Sequence, residues 1–320
     1  MKPVLCVGDV CMDLIIPYAA ALNVKNGEPI DRVDTEVRAC PGGSVANTAC
    51  AVARLGVPVL FAGSCGNDTY GRKLRSGLEA EGVDCSLLRT DAHLASQTVL
   101  LVLDEHGERT AFACPAHGGV QHAILPEQFP GDLTNRIGWL HVNGMMFREE
   151  PAASTQLTLM RNCYEAGIPV SLDINVRIES RNDSVFYRNL LEAKRCCTVI
   201  FGSAVDEIPL LTDKHDAETA ALDLSGNGTA VIARSGAQGA VYYCGETRIH
   251  SPAFLIDVVD TIGAGDTFDG AYIAACMRGC TPTDALREAN AAAAICVSSR
   301  SGRNCPTLAQ LHAFLMSHPV

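Results

Sequence analysis

Asp260-Thr-Ile-Gly-Ala-Gly-Asp-Thr-Phe-Asp-Gly270 is the stretch of this chain that carries the most chemistry. Gly263-Ala264-Gly265 can turn tightly and aim successive backbone N–H groups from the start of a helix. Those N–H groups have no intrahelical acceptor and the helix dipole is positive there, so the turn suits an anion. Asp266 follows at once. A carboxylate beside a bound phosphate is repelled by it, yet it is well placed to accept a proton from a hydroxyl attacking that phosphorus. The amides would meanwhile stabilise charge on the transferred group. The plainer reading is that Asp266 caps the helix and the glycines merely turn.

Working outward, short apolar runs alternate with longer amphipathic segments. Strands are expected at Val4–Val7, Val59–Ala62, Gly138–Val142, Val170–Asp173, Val199–Phe201, Thr229–Ala233 and Ala240–Tyr243. Helices are expected near Ser44–Leu55, Tyr70–Glu81, Pro151–Ala166, Ser184–Ala193, Ala217–Leu224, Thr283–Val297 and Thr307–Met316, and from the GAGD turn to about Gly279. This alternation predicts an α/β fold: a largely parallel sheet with helices on both faces, in three layers. Residues 12–39 and 96–116 break the pattern. The second reads as a hairpin of Thr98–Leu103 and Thr110–Phe112 around a polar turn, Asp104–Gly107, so both regions are expected in a small separate sheet. With no repeat and no Pro/Ser-rich linker, residues 1–320 read as one domain carrying that sheet as a lid.

The net charge of −11 argues against nucleic acid as a partner, which needs clustered Lys and Arg. The fifteen cysteines include no CxxC pair, and Met1 runs into the first strand without a leader-like segment. No apolar run is long enough to span a bilayer. The expectation is a cytoplasmic chain with reduced, mostly buried thiols, in which the sequons at Asn67, Asn182 and Asn227 carry no glycan.

The signature at 260–270 resembles the C-terminal signature of the ribokinase-like (PfkB) carbohydrate kinases. Pro41-Gly-Gly-Ser-Val-Ala-Asn-Thr-Ala-Cys-Ala-Val-Ala-Arg-Leu-Gly56, continued by Gly63 and Gly66-Asn-Asp-Thr-Tyr-Gly71, resembles their N-terminal one. Gly8-Asp9 with Asp13, and Ser235-Gly236-Ala-Gln-Gly239, stand in the family's order, and the likeness spans nearly the whole chain. It implies a ribokinase-like fold with a small β-sheet lid, Asp266 as base, and the amides of Gly263, Ala264 and Gly265 as anion hole. It also implies sugar contacts from Asp13, Gly42, Gly43 and Asn47; Asp9 reads either as a further contact or as a cap on the loop after the first strand.

Ser171-Leu-Asp-Ile-Asn-Val-Arg177 resembles the D-x-N-x-R element of fructokinases and 2-keto-3-deoxygluconate kinases, which makes Arg177 a candidate for an anionic substrate group or the transferred phosphate. A surface ion pair is its plainer role. The family's N-x-x-E element, whose Glu organises Mg²⁺ through water, is met in part: Glu207 fits, but Ala204 stands where Asn is usual, with Asp206 as the nearest substitute. Gly236, Gly239 and Asn290 are the ATP-side candidates, with an ordinary helix residue as the alternative for Asn290. Some relatives bind K⁺ beside the anion hole; Asp260 and the Ile262 carbonyl match, whereas Ser298–Cys305 does not align.

Gly66–Lys73 misses a P-loop, because Arg-Lys stands where Lys-Ser/Thr is required, and no G-x-G-x-x-G follows the first strand. His117 and His122 lack further metal ligands nearby and read as lid or surface residues. The expectation is therefore an ATP- and Mg²⁺-dependent kinase, with K⁺ optional, acting on a sugar or sugar acid and pairing as a homodimer through the lid. A nucleoside kinase of the same superfamily and a non-catalytic sugar-binding protein are the alternatives.

Overall fold

Val4–Val7 has no polar side chain and is wholly buried, as a strand covered on both faces must be. This is β1 of a computed structural model that describes residues 1–17, 36–103, 109–115, 117–176, 183–299 and 303–318. Eight further strands join it: β4 (Val59–Gly66), β5 (Asp84–Asp91), β8 (Trp139–Asn143), β9 (Val170–Asp173), β10 (Val199–Ser203), β11 (Ala230–Arg234), β12 (Ala240–Cys244) and β13 (Thr247–Ser251). Their order is β13-β12-β11-β10-β9-β8-β1-β4-β5. Pairing is parallel from β5 to β11, and β12 and β13 close one side antiparallel.

Alternate residues of each strand enter different cores, which is the pleat expressed in packing. Val4, Cys6, Phe61, Phe201 and Ile232 pack with α1 (Ser44–Arg54), α2 (Thr69–Ala80), α7 (Ala264–Met277), α8 (Pro282–Val297) and α9 (Leu308–Ser317). Leu5, Val7, Leu140, Ile200 and Val231 pack on the other face with α3 (Leu133–Arg136), α4 (Ala152–Glu165), α5 (Ser184–Ala193) and α6 (Ala217–Ser225). The three-layer expectation is met. The expected strands and helices are present with ends moved by a few residues.

Two strands went unforeseen, β5 and β13. Both lie on an edge of the sheet, where one flank is not covered, so their sequences (DCSLLRTD and TRIHS) mix polar and apolar residues.

A second, four-stranded sheet stands apart, in the order β3-β2-β6-β7, from β2 (Cys11–Pro17), β3 (Arg38–Gly42), β6 (Thr98–Leu103) and β7 (Arg109–Cys114). It is the small sheet expected from 12–39 and 96–116; the hairpin turn at 104–107 lies outside the described residues. Every cysteine is a free thiol, most are buried, and Cys114 is exposed. Among the described residues no helix is long and apolar enough to cross a membrane.

Candidate active site

The parallel strands of the main sheet end along one edge, and four of these ends deliver a polar side chain there. Asp9 follows β1, Asn143 ends β8, Asp173 ends β9 and Arg234 ends β11. This carboxyl edge is where open α/β sheets bind ligands.

Gly263, at φ 76°, turns the chain into α7, and Asp266 lies in the first turn of that helix. Its Oδ1 accepts from the Ser44 hydroxyl at 2.7 Å and its Oδ2 from Asn47 Nδ2 at 2.8 Å. Asn175 Nδ2 in turn donates to Ser44 Oγ at 2.9 Å. Burial pushes the Asp266 carboxyl up to about 7, helped by the negative Asp173 and Asp9, while the Ser44 and Asn47 bonds pull the other way. The two expected signatures, far apart in sequence, therefore meet at one carboxylate.

The glycine pair before α1 shapes the neighbouring surface. Gly43 has φ 101°, and a Cβ there would fall 2.6 Å from the Asp9 carbonyl oxygen, so no other residue fits without strain. A Cβ on Gly42 would fall 2.3 Å from Asp13 Oδ2, so the Asp13 carboxylate rests directly on the Gly42 backbone. The side chain of Asp9 is a helix cap: it accepts from the Ser44 and Val45 amides at 2.8 and 3.1 Å and is steadied by Asn143 Nδ2 at 3.0 Å. Of the two roles read for Asp9, capping is the one the geometry supports, although the helix it caps is α1 rather than its own loop.

Beneath the Gly263–Gly265 turn lies a cluster of charges of which the sequence singled out Glu207 alone. Arg234 donates to Asp173 Oδ1 at 2.6 Å and to Asp269 Oδ1 at 2.8 Å, and it approaches Glu207 Oε2 at 3.7 Å. One of its nitrogens would lie 3.0 Å from a Cβ on Gly265, so the guanidinium underlies that turn. Desolvation opposes the Arg234 charge, but Asp173, Asp269 and Glu207 outweigh it and keep the guanidinium protonated. Asp269 is fully buried, its Oδ2 meets no partner among the described residues, and burial drives its carboxyl well up against the pull of Arg234. Glu207 is also raised, first by burial and then by Asp173, with Arg234 opposing. Both Glu207 oxygens accept backbone amides, from Val176 at 2.9 Å and Ser203 at 2.7 Å. Ala204 is buried, and its amide donates to the Arg234 carbonyl at 2.9 Å. Asp206 is exposed and accepts from the Ser203 hydroxyl at 3.2 Å.

Farther along the edge, Gly236 and Gly239 open and close the turn between β11 and β12. Asn290 is buried in α8, where its amide donates to the Ser251 carbonyl and hydroxyl at 2.9 and 3.0 Å. That bond anchors the end of β13 to α8. The segment after it leaves Leu255, Val258 and Val259 exposed just before the signature. Asp260 Oδ1 accepts from its own Ile262 amide at 3.0 Å. Arg177 lies outside the described residues. His117 is exposed as expected, but His122 is buried beside Glu149 at 4.0 Å.

Ser44, Asn175 and Asp269 lie inside the quoted motifs yet were given no role, and Arg234 immediately precedes Ser235–Gly239. Arg303, whose guanidinium reaches Asn47 Oδ1 at 3.0 Å, carried no signal of its own.

Known proteins resemble this chain over most of its length. Residues 1–308 match the model of the pfkB family carbohydrate kinases. An aminoimidazole riboside kinase from Salmonella typhimurium is 33% identical over 290 residues, covering 88% of this chain and 89% of the relative. A fructokinase from Klebsiella pneumoniae is 32% identical over 237 residues, covering 73% of this chain and 76% of that one. A fructokinase double mutant from Vibrio cholerae, solved with fructose, ADP and potassium ion, superposes with a TM-score of 0.83 at 26% identity over 98% of both chains. The chain belongs to the pfkB family of carbohydrate kinases, phosphotransferases whose acceptor is a hydroxyl group.

Proposed function

We propose that this kinase transfers the γ-phosphoryl group of ATP to a hydroxyl of a sugar or sugar acid, with Asp266 taking the proton. The observation that carries the reading is the Asp266 carboxylate, held by Ser44 and Asn47 at the amide-rich start of α7 with its proton affinity raised to about 7. A base that titrates near neutrality combines ionisation with real proton affinity at working pH. The amides of Gly263, Ala264 and Gly265 receive the transferred phosphoryl group, that of Ala264 turning from its 3.3 Å bond to the Thr261 carbonyl, and charge growing on the group meets these dipoles. Asp13, Gly42, Gly43 and Asn47 bind the sugar: a carboxylate accepts from hydroxyls, an amide donates, and the side-chain-free backbone allows close approach. Arg177 is proposed to meet an anionic group of the substrate or the phosphoryl group. Gly236, Gly239 and Asn290 flank the nucleotide.

Among the described residues no group of three His, Cys, Asp or Glu side chains forms a metal cage. That fits a Mg²⁺ carried on the nucleotide phosphates, with Glu207 acting through water because both its oxygens already accept amides. When bound, the ion neutralises phosphate charge. Asp260 and the Ile262 carbonyl offer oxygen ligands for K⁺, the ion present in the Vibrio cholerae fructokinase structure. We place the enzyme in the cytoplasm, with the four-stranded sheet as a lid over the sugar and as the homodimer contact.

A nucleoside is the second reading, favoured by the 33% identity to an aminoimidazole riboside kinase. ADP release measured over ketoses, ketodeoxy acids, pentoses and nucleosides, aminoimidazole riboside included, tests both. Turnover of one class selects between them. Silence across the whole panel, with ATP bound, would return the chain to a non-catalytic sugar-binding protein.

A further inference from the structure

Asn47 meets the proposed base through one end of its amide, and a second residue occupies the other end. Its Nδ2 donates to Asp266 Oδ2 at 2.8 Å, while its Oδ1 accepts from Arg303 Nε at 3.0 Å. The same guanidinium donates to the Gly42 carbonyl at 3.0 Å. Arg303 follows α8, and its neighbours hold it there. Asn304 Nδ2 donates to the Ile295 and Cys296 carbonyls at 3.0 and 3.4 Å, and Arg54 of α1 donates to the Cys305 carbonyl.

A side-chain amide has one accepting end and one donating end. With a guanidinium on Oδ1, the N–H₂ of Asn47 can only turn toward Asp266. We propose that Arg303 is a positioning residue for the phosphoryl-transfer site, fixing the donor side of the hydroxyl-binding position through the Asn47 amide and the Gly42 carbonyl. This rests on the reading of Asp266 as the base. The consequence is a defined polarity: Asn47 offers the substrate a donor only, and ionised Asp266 an acceptor only. A hydroxyl bound between them accepts from Asn47 and gives its hydrogen to Asp266, the direction in which the proton must move. Neither kinase signature contains Arg303, so this function adds a contact from beyond the last signature helix.

Asp266 is faced by Asp9 after β1, Asp173 at the end of β9, Ser44 and Asn47 of α1, Asp269 of its own helix and Cys296 of α8. The three carboxylates oppose its ionisation, whereas the Ser44 and Asn47 bonds favour it. Loosening the Asn47 donor therefore leaves the carboxylate less supported.

The test compares wild type, Arg303→Met, Asn47→Ala and the double variant by two readouts. The first is the ¹³Cγ titration of Asp266, assigned by its loss in Asp266→Asn; the second is steady-state kinetics with the best acceptor found. Arg303→Met is expected to move the Asp266 midpoint upward and to lower kcat by about tenfold, the scale of one hydrogen bond to a charged group. KM for ATP stays unchanged. In the Asn47→Ala background the Arg303 change has a clearly smaller effect, because the part that runs through that amide is already lost and only the Gly42 contact remains. A folded Arg303→Met with wild-type midpoint and kcat, or full additivity in the double variant, overturns the proposal. If Arg303→Met does not fold, Arg303→Lys carries the test: it keeps the charge but loses the planar pair of donors, and wild-type behaviour there is equally fatal. Should no acceptor be turned over, the titration alone decides the role of Arg303, and the kinase reading fails separately.

Discussion

Asp266→Asn separates the two readings of the signature and puts activity and stability in opposition. The carboxyl titrates near 3.8 in an open chain and at about 7 in the fold. Holding it ionised in the fold therefore costs about 4 kcal/mol. Because the folded pKa is raised, the stability linked to this group is fully present below about pH 4 and is lost as pH climbs through about 7. The Asn variant carries no such charge. The support that Ser44 and Asn47 give the carboxylate is already contained in that cost, because their bonds help set the folded value. The expectation at pH 8 is a variant more stable than wild type by up to about 4 kcal/mol, a gain of several degrees in melting temperature. The gain is expected to shrink toward pH 4 and vanish there. Over the same range kcat falls by roughly 10²–10⁴-fold, the contribution of a general base, while sugar affinity changes far less because Asp13 and Gly43 are untouched. Calorimetry between pH 4 and 8 and coupled ADP-release kinetics at pH 8 measure the two halves. Near-wild-type turnover refutes the base and leaves Asp266 a structural acceptor for Ser44 and Asn47 at the start of α7. A melting difference independent of pH refutes the burial argument even if activity is lost.

Two further outcomes follow from other parts of the molecule. Arg234→Met leaves Asp173 and Asp269 buried without their cation, so urea unfolding is expected to show a loss of about 3–5 kcal/mol, partly recovered by adding Asp269→Asn. A loss below about 1 kcal/mol would reduce this cluster to an ordinary surface ion pair. If the four-stranded sheet forms the homodimer contact, Phe112→Lys, at a position 50% exposed on the edge strand β7, shifts the particle from two-chain to one-chain mass in light scattering. A wild type already of one-chain mass refutes that contact.

Local chemistry was legible without coordinates wherever one residue type has a single sensible use. Gly263-Ala264-Gly265 ahead of Asp266 reads as a helix start facing an anion, because only small residues leave the amides open. Fully covered strands such as Val4–Val7 read as strands because both faces exclude water, whereas the packing of Asp13 on Gly42 was not read from the paired glycines. The mixed edge strands β5 and β13 escaped because an uncovered flank removes the apolar run that marks an interior strand. What the sequence could not decide was which side chains share one charge balance. Asp173, Glu207, Arg234 and Asp269 come from four separate segments, and nothing local to any of them, not even the metal role read for Glu207, shows that they face one another. Only closure of the sheet edge against α7 removes water from among them and makes their mutual field strong. Arg303 is the extreme case. Its role exists only because the chain beyond α8 folds back onto α1, and a hydrogen bond spanning 256 positions leaves no local trace in the sequence.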